Sequence, residues 1–258
     1  MAIIWGFDLS KMSWGAFGHK KMFDRRWHLR KERFIWYQLA MLIGLAAECT
    51  ATYSLSKYED LQGHVEAASL PISPTKAHLY NNDLIDAAIC TIVFCVLVAT
   101  VFGADFFFLL FWPSRRYARW YQTAKKITAV VVTAGVLACA IVSTFVIARR
   151  SAFINGVDDQ TKQTLTNLYF RPPLVYRHWS RNIAWVVLLW LTFPCTVIST
   201  ILIFLADKHD REFGPEPRNA LGDKDGGSGI LAHEDNGYAN GHNSPGGAGA
   251  SNREKPVV

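Results

Sequence analysis

Four long apolar runs constrain the fold of this chain more than any other feature. The runs span residues 34–55, 86–112, 127–148 and 183–206. Each is long enough to cross a membrane as a helix, because a hydrocarbon layer of about 30 Å needs about 20 helical residues. The sequence therefore predicts an all-α integral membrane protein, a bundle of four transmembrane helices.

The same runs divide the chain into three parts. A basic, amphipathic segment over residues 1–33 precedes the four-span membrane domain of residues 34–206, and residues 207–258 form a tail. The loop of residues 56–85 is expected to be an irregular connection, too short for a second domain. The tail is rich in Gly, Pro and Asn, a composition that buries too little apolar surface to offset the entropy of ordering. We therefore predict a disordered tail.

The positions of the basic residues predict the orientation in the membrane. Lys and Arg number eight in residues 1–33, two in 56–85, five in 113–126, six in 149–182 and six in the tail. Because cytoplasmic loops carry the excess of Lys and Arg, both termini are expected in the cytoplasm. Four arginines of the third loop count against this orientation, namely Arg149, Arg150, Arg177 and Arg181.

Two basic clusters beside the spans are candidates for contact with anionic lipid headgroups. Before the first span, Phe23 and Trp27 lie one helical turn apart among basic residues, which predicts an interfacial helix leading into that span. After the second span, Pro113 begins a turn with five positive charges and no acid. The candidates are Lys20, Lys21, Arg25, Arg26, Arg115, Arg116, Arg119, Lys125 and Lys126. The net charge of +6 thus indicates lipid and not nucleic acid; alternatively, these charges serve only to fix the topology.

The cysteines and histidines exclude several classes of protein. All five cysteines fall within the spans, so no loop disulfide of the kind found in tetraspanins and claudin-type proteins is expected. All eight histidines lie outside the spans, and no Cys and His residues have the spacing of a zinc site. No catalytic motif is found. The sequence therefore predicts a non-enzymatic protein with no catalytic residue, metal or cofactor.

Two carboxylates fall inside predicted spans, Glu48 in the first and Asp105 in the second. Ionisable groups at membrane depth are costly and are candidate functional sites. About 15 Å of depth separates the two at 1.5 Å per residue, which excludes an acid–base dyad. Asp105 is expected to reach Lys125 or Lys126 at the start of the third span. Glu48 is either a neutral carboxyl hydrogen-bonded to Thr or Ser, or a site for a proton, a cation or a partner helix.

Small residues recur at four-residue spacing in three of the spans. Such stripes let helix backbones approach closely where lipid removes the hydrophobic drive for association. They predict packing within the chain, with a partner helix or a homo-oligomer as the alternative. The stripes are Ala40 and Gly44 in the first span, Cys95, Ala99 and Gly103 in the second, and Gly135, Cys139 and Ser143 in the third.

The layout of four spans, short loops, cytoplasmic termini and no loop cysteines resembles that of MARVEL-type tetraspan proteins, which organise membrane regions and traffic with vesicles. The resemblance covers the spans alone and assigns no role to any residue. It favours a non-enzymatic membrane organiser, adaptor or accessory subunit that contacts anionic lipid. The alternative is a small transporter or channel component that uses Glu48 and Asp105. The sequence does not distinguish a plasma-membrane location from an endomembrane one.

Overall fold

The computed structural model of the protein describes residues 3–4, 7–8, 12, 14–18, 22–23, 27–71, 75–113, 115, 117–169 and 171–214. The helices of this part are α1 (Arg30–Ser69), α2 (Asn82–Phe111), α3 (Arg119–Arg149), α4 (Asp159–Leu168) and α5 (Ser180–Glu212). Two short antiparallel pairs complete it, β1 (Ile3–Ile4) with β2 (Phe7–Asp8) and β3 (His78–Tyr80) with β4 (Phe153–Asn155). Single 3₁₀ turns lie at Trp14–Phe17 and Tyr176–His178.

Four of these helices, α1, α2, α3 and α5, are long and apolar enough to cross a membrane, and each contains one of the predicted runs, except that α2 ends one residue before residue 112. Large apolar side chains such as Leu42, Phe145 and Ile201 are about half exposed on the outside of the bundle, whereas Ser143 and Thr192 are buried within it. An apolar exterior around a partly polar interior is the arrangement that lipid requires of a helix bundle. The predicted four-helix membrane fold is confirmed.

Small residues bring the four helices together. In α3, a side chain at Gly135 would overlap the ring of Phe94 from α2. In α2, Gly103 lies under Met41 of α1. In α1, Gly44 packs against Thr192 of α5 and Val98 of α2. Packing within the chain is therefore confirmed at these three glycines.

The first span begins where the last one ends. The His28 ring, just before α1, stacks on His209 near the end of α5 with 3.9 Å between centroids and 6° between planes. We call this end of the bundle the proximal end; it holds the start of α1, the end of α2, the start of α3 and the end of α5. The distal end carries the two longer loops. The assignment of the proximal end to the cytoplasm remains a prediction.

At the distal end, α1 continues well beyond the predicted span. Its 40 residues correspond to about 60 Å of helix, twice the thickness of the hydrocarbon layer. The prediction of an irregular connection from residue 56 is therefore wrong, since the helix lasts to Ser69. The reason is visible in Tyr58, Leu61 and Val65, which recur at helical spacing and are buried against the distal loops.

A two-stranded sheet joins the two distal loops. Strand β3 of the first loop pairs with β4 of the second, with Leu79 opposite Ile154. The exposed rings of Tyr80 and Phe153 stack across the pair, 5.1 Å apart and nearly parallel. Gly156 follows β4 with φ of +88°, and a Cβ there would lie 2.8 Å from the carbonyl oxygen of Lys76, so this position requires glycine.

Two predicted boundaries at the proximal end differ from the structure. Residues 27–29 form a turn and Leu29 has φ of 51°, so no continuous helix leads from the basic segment into α1. At the other boundary, α5 continues six residues into the predicted tail, because Asp207 forms ion pairs with the neighbouring side chains Lys126 and Arg211. The rest of the tail, from residue 215, lies outside the described residues.

Candidate functional site

Asp105 is the centre of a buried charge network at the proximal end. Its Oδ2 accepts hydrogen bonds from Arg33 Nη2 and from the Tyr37 hydroxyl, each at 2.7 Å. Its Oδ1 accepts from Lys125 Nζ at 2.8 Å. Arg33 Nε also donates to the Tyr37 hydroxyl at 3.2 Å. Only 5% of Asp105 and 7% of Arg33 are exposed, so this network is nearly closed to solvent.

Three helices position these side chains. Arg33 and Tyr37 are one turn apart on α1 and therefore share a face. Asp105 lies near the end of α2, and Lys125 extends from the second turn of α3. The predicted tie between Asp105 and Lys125 is present. Sequence reasoning missed Arg33, because it grouped the basic residues before span one as surface charges.

The chemistry of the network suits a structural role, the stabilisation of helix packing. Two cations and a phenol occupy both oxygens of Asp105, and all of these donors come from the same chain. Charge-assisted hydrogen bonds of this length are among the strong ones in proteins. Removing one partner of a buried ion pair costs about 3–5 kcal/mol, because the remaining charge is left uncompensated. The site therefore ties α1, α2 and α3 together and leaves neither carboxylate oxygen without a donor.

A second buried pair ties α3 to α5. Lys126 Nζ lies 2.6 Å from Asp207 Oδ2 and 5.6 Å from the ring centroid of Phe204, and Arg211 Nε forms an ion pair with the same carboxylate at 3.0 Å. Lys126 is thus not the partner of Asp105. Lys125 and Lys126 were both predicted to contact headgroups, but their side chains are only 12% and 16% exposed and their ammonium groups are held by carboxylates inside the bundle.

The basic turn between α2 and α3 borders a cavity at the proximal end. The cavity measures about 800 Å³ and lies between this turn and the end of α5. The Arg115 guanidinium lies 5.7 Å from the ring centroid of Tyr117, and burial raises the pKa of that phenol. Arg119 and Trp120 are exposed beside it. The cavity is lined by Arg115, Tyr117, Arg119, Gln122, Asp207, Asp210, Arg211, Glu212, Phe213 and Gly214.

The other predicted headgroup contacts fall on positions without described structure. Lys20, Lys21, Arg25, Arg26 and Arg116 all lie outside the described residues. Arg115 and Arg119 are therefore the described candidates that line the cavity.

Glu48 differs from Asp105 in its burial, its hydrogen bonding and its position along the bundle. It is partly buried on α1 and lies near Cys95 of α2. Within the described part of the chain, it makes no hydrogen bond and no ion pair, so the predicted hydrogen bond to Thr or Ser is not formed. Eleven residues separate it from Tyr37, about 16 Å along α1, which keeps it away from the Asp105 network. The two carboxylates do not form one site.

A polar cluster at the distal end was missed by sequence reasoning. Asn182, at the start of α5, accepts a hydrogen bond from Ser54 Oγ and donates one to the Tyr176 carbonyl at 3.0 Å. The Tyr58 hydroxyl donates to the Pro173 carbonyl at 2.8 Å. Burial, and then the neighbouring Asp83 carboxylate, raise the pKa of Tyr176, whose hydroxyl donates to Asp83. These bonds join α1 and α5 to the distal loops; the polar Asn182 beside an apolar run was the available signal.

The described residues contain no group of three or more His, Cys, Asp or Glu side chains placed to hold a metal ion. The five cysteines are free thiols: Cys49 and Cys90 are exposed on the bundle, and Cys95, Cys139 and Cys195 are buried.

Comparison with known proteins adds no family. No protein-family model, curated protein or solved structure matches this chain. The resemblance to MARVEL-type tetraspan proteins therefore stays a prediction from topology.

Proposed function

We propose that this protein is a non-enzymatic tetraspan membrane protein that acts as an organiser, adaptor or accessory subunit. The observation that supports this most is the closure of the Asp105 network. Both oxygens of this membrane-depth carboxylate are held by Arg33, Tyr37 and Lys125 of the same chain. Such a carboxylate braces a bundle and has no open position for a transported cation.

The packing of the bundle also favours a scaffold over a transporter. The Phe94 ring fills the space that a side chain at Gly135 would need, and Gly44 is in contact with two neighbouring helices. Close packing of this kind leaves helix surfaces that face lipid as the surfaces on which a partner can bind. We therefore rank the alternative function, a transporter that uses Glu48 and Asp105 together, below the scaffold function.

Contact with anionic lipid is the second element of the proposal. Arg119 and Trp120 are exposed at the proximal end, next to Arg115. Exposed tryptophan and basic residues at the ends of spans are typical of the headgroup level. Each Arg near an anionic surface contributes about 1 kcal/mol of attraction.

The scaffold function is tested with the full-length protein in two settings. Purification in a mild detergent should yield a stoichiometric complex with a defined membrane partner. Reconstitution into sealed liposomes should give no proton or cation flux above that of protein-free liposomes. Flux that disappears in the Glu48→Gln variant would overturn the scaffold proposal in favour of transport.

The lipid contact is tested by counting phosphatidylserine molecules retained by the purified protein in native mass spectrometry. The double variant Arg115→Gln/Arg119→Gln should retain fewer than the wild type, and added salt should reduce the difference. The matched control removes two charges at the distal end, Arg149→Gln/Arg150→Gln. Equal losses in the two double variants would contradict a specific contact at the basic turn.

A further inference from the structure

We infer that Glu48 is the docking point for a transmembrane helix of another protein that carries a Lys or Arg at the same membrane depth. The inference rests on the proposed adaptor function and names the chemistry of the partner.

The depth of Glu48 follows from α1. Glu32 is exposed at the proximal end, and Lys57 forms an exposed ion pair with Asp60 at the distal end. The 25 residues from Glu32 to Lys57 correspond to about 37 Å of helix, enough to cross the hydrocarbon layer of about 30 Å. Glu48 lies about 13 Å from Lys57 along this helix and about 5 Å from the midpoint. It is therefore well inside the layer.

The two buried acids of the bundle are each paired with basic side chains. Asp105 is held by Arg33 and Lys125, and Asp207 by Lys126 and Arg211. Glu48 is the exception, because no described residue forms a hydrogen bond or an ion pair with it. An unpaired carboxylate at membrane depth is costly, and a cation is the partner that reduces this cost most.

The surface around Glu48 is open to an approaching helix. Its neighbour Leu45, one turn away on α1, is 51% exposed, and Cys49 is exposed as well. Val93 and Val96 are about half exposed on the adjoining α2, near Cys95. This apolar surface with a single acid fits an apolar helix with a single base.

A second copy of this chain cannot supply that base. The four predicted runs, residues 34–55, 86–112, 127–148 and 183–206, contain no Lys and no Arg. Charge complementarity at this depth therefore selects a different chain as the occupant.

The test uses the full-length protein and a defined probe, a polyleucine transmembrane helix with one Lys at the depth of Glu48. Association is measured by energy transfer between labelled probe and labelled protein in phosphatidylcholine vesicles, where headgroups carry no net charge. The Lys probe should associate about fivefold more tightly than an all-leucine probe. Glu48→Gln should abolish this difference. Asp86→Asn, which removes an exposed carboxylate near the distal start of α2, should preserve it.

A second arm does not depend on the folding of any variant. With the wild-type protein, moving the probe's Lys seven residues along, about 10 Å, should also abolish the advantage over polyleucine. Equal association of the Lys and all-leucine probes, or an advantage that persists in a folded Glu48→Gln protein, would overturn the inference.

Purification of the native complex distinguishes a failure of the docking role of Glu48 from a failure of the proposed adaptor function. A stoichiometric partner that remains bound to Glu48→Gln would refute the docking role and leave the adaptor function standing. Failure to find any partner would count against the adaptor function, while the probe experiment would still decide the role of Glu48. A partner lost in Glu48→Gln and regained when Glu48→Lys is combined with an acid in the partner's helix would support both.

Discussion

At the scale of the single residue, Asp105 is expected to contribute more to stability than any exposed acid. Asp105→Asn removes the charge that compensates Arg33 and Lys125, so two buried cations remain around a neutral amide. We expect a loss of about 3–5 kcal/mol in the free energy of unfolding, measured by denaturant titration in detergent. Asp60→Asn, at the exposed pair with Lys57, should leave the unfolding curve unchanged. Similar effects of the two substitutions would contradict the network.

Tyr37 provides a finer test of the same network. Its hydroxyl donates to Asp105 and accepts from Arg33, and Tyr37→Phe removes both bonds while it keeps the ring. Because the carboxylate stays paired with both cations, we expect a smaller loss, about 1–3 kcal/mol. The same titration measures it. In a double-mutant cycle with Asp105→Asn the two losses should not add, since the residues share one site; strict additivity would show that the hydroxyl acts elsewhere.

Of the two cations that bind Asp105, the sequence predicted Lys125 as a candidate and did not reveal Arg33. Depth along the helices predicted that Asp105 meets a lysine of the third span, and Lys125 is that residue. The same arithmetic does not reveal rotation about the helix axis, so it could not choose between Lys125 and Lys126. Arg33 was missed because it was grouped with the surface charges before the span, although its helical spacing from Tyr37, Ala40 and Gly44 places it on the same buried face.

At the scale of the element, the contact between α2 and α3 is expected to depend on Gly135. A methyl group there would overlap the Phe94 ring, so Gly135→Ala forces that ring to move. We expect a loss of about 1–3 kcal/mol in the free energy of unfolding, as for other overpacked cores. The loss should shrink when Phe94→Leu is added, because the smaller side chain leaves room.

Gly44 supplies the matched control for that substitution. Its nearest neighbours, atoms of Thr192 and Val98, lie 3.6 and 3.7 Å from the position of a Cβ, which is ordinary contact. Gly44→Ala should therefore leave stability unchanged or raise it, since alanine favours the helix. A larger loss at Gly44 than at Gly135 would show that the close approach of α2 and α3 is not formed.

Some elements can be predicted from a pattern in the sequence, whereas others form only through tertiary contacts. The four spans were predictable because about 20 consecutive apolar residues have few alternatives in water. The distal extension of α1 carried a weaker signal, the helical spacing of Tyr58, Leu61 and Val65. The pairing of β3 with β4 had no local signal, because three-residue strands about 75 positions apart become partners only when the bundle brings the loops together.

At the scale of the whole molecule, the proximal end gathers most of the buried charge. Asp105 and Asp207 bind cations from neighbouring helices there, whereas the distal end is closed by neutral hydrogen bonds around Asn182 and by the sheet. The two ends thus differ in chemistry as well as in connectivity. A bundle braced in this way can present its outer surfaces, including that around Glu48, as fixed docking faces.

The two ends of this asymmetric molecule lie on opposite sides of the membrane, and labelling can show which end faces the cytoplasm. We expect the proximal end in the cytoplasm, from the excess of Lys and Arg in residues 1–33 and in the basic turn. Two variants of the full chain test this, Ser251→Cys in the tail and Gln163→Cys on the exposed face of α4. With a membrane-impermeant maleimide on sealed cells, and protein carrying only its native cysteines as the background, Gln163→Cys should be labelled at once and Ser251→Cys only after permeabilisation. The opposite pattern would invert the topology, and with it the side of the membrane on which the cavity beside Arg115 and Arg119 lies.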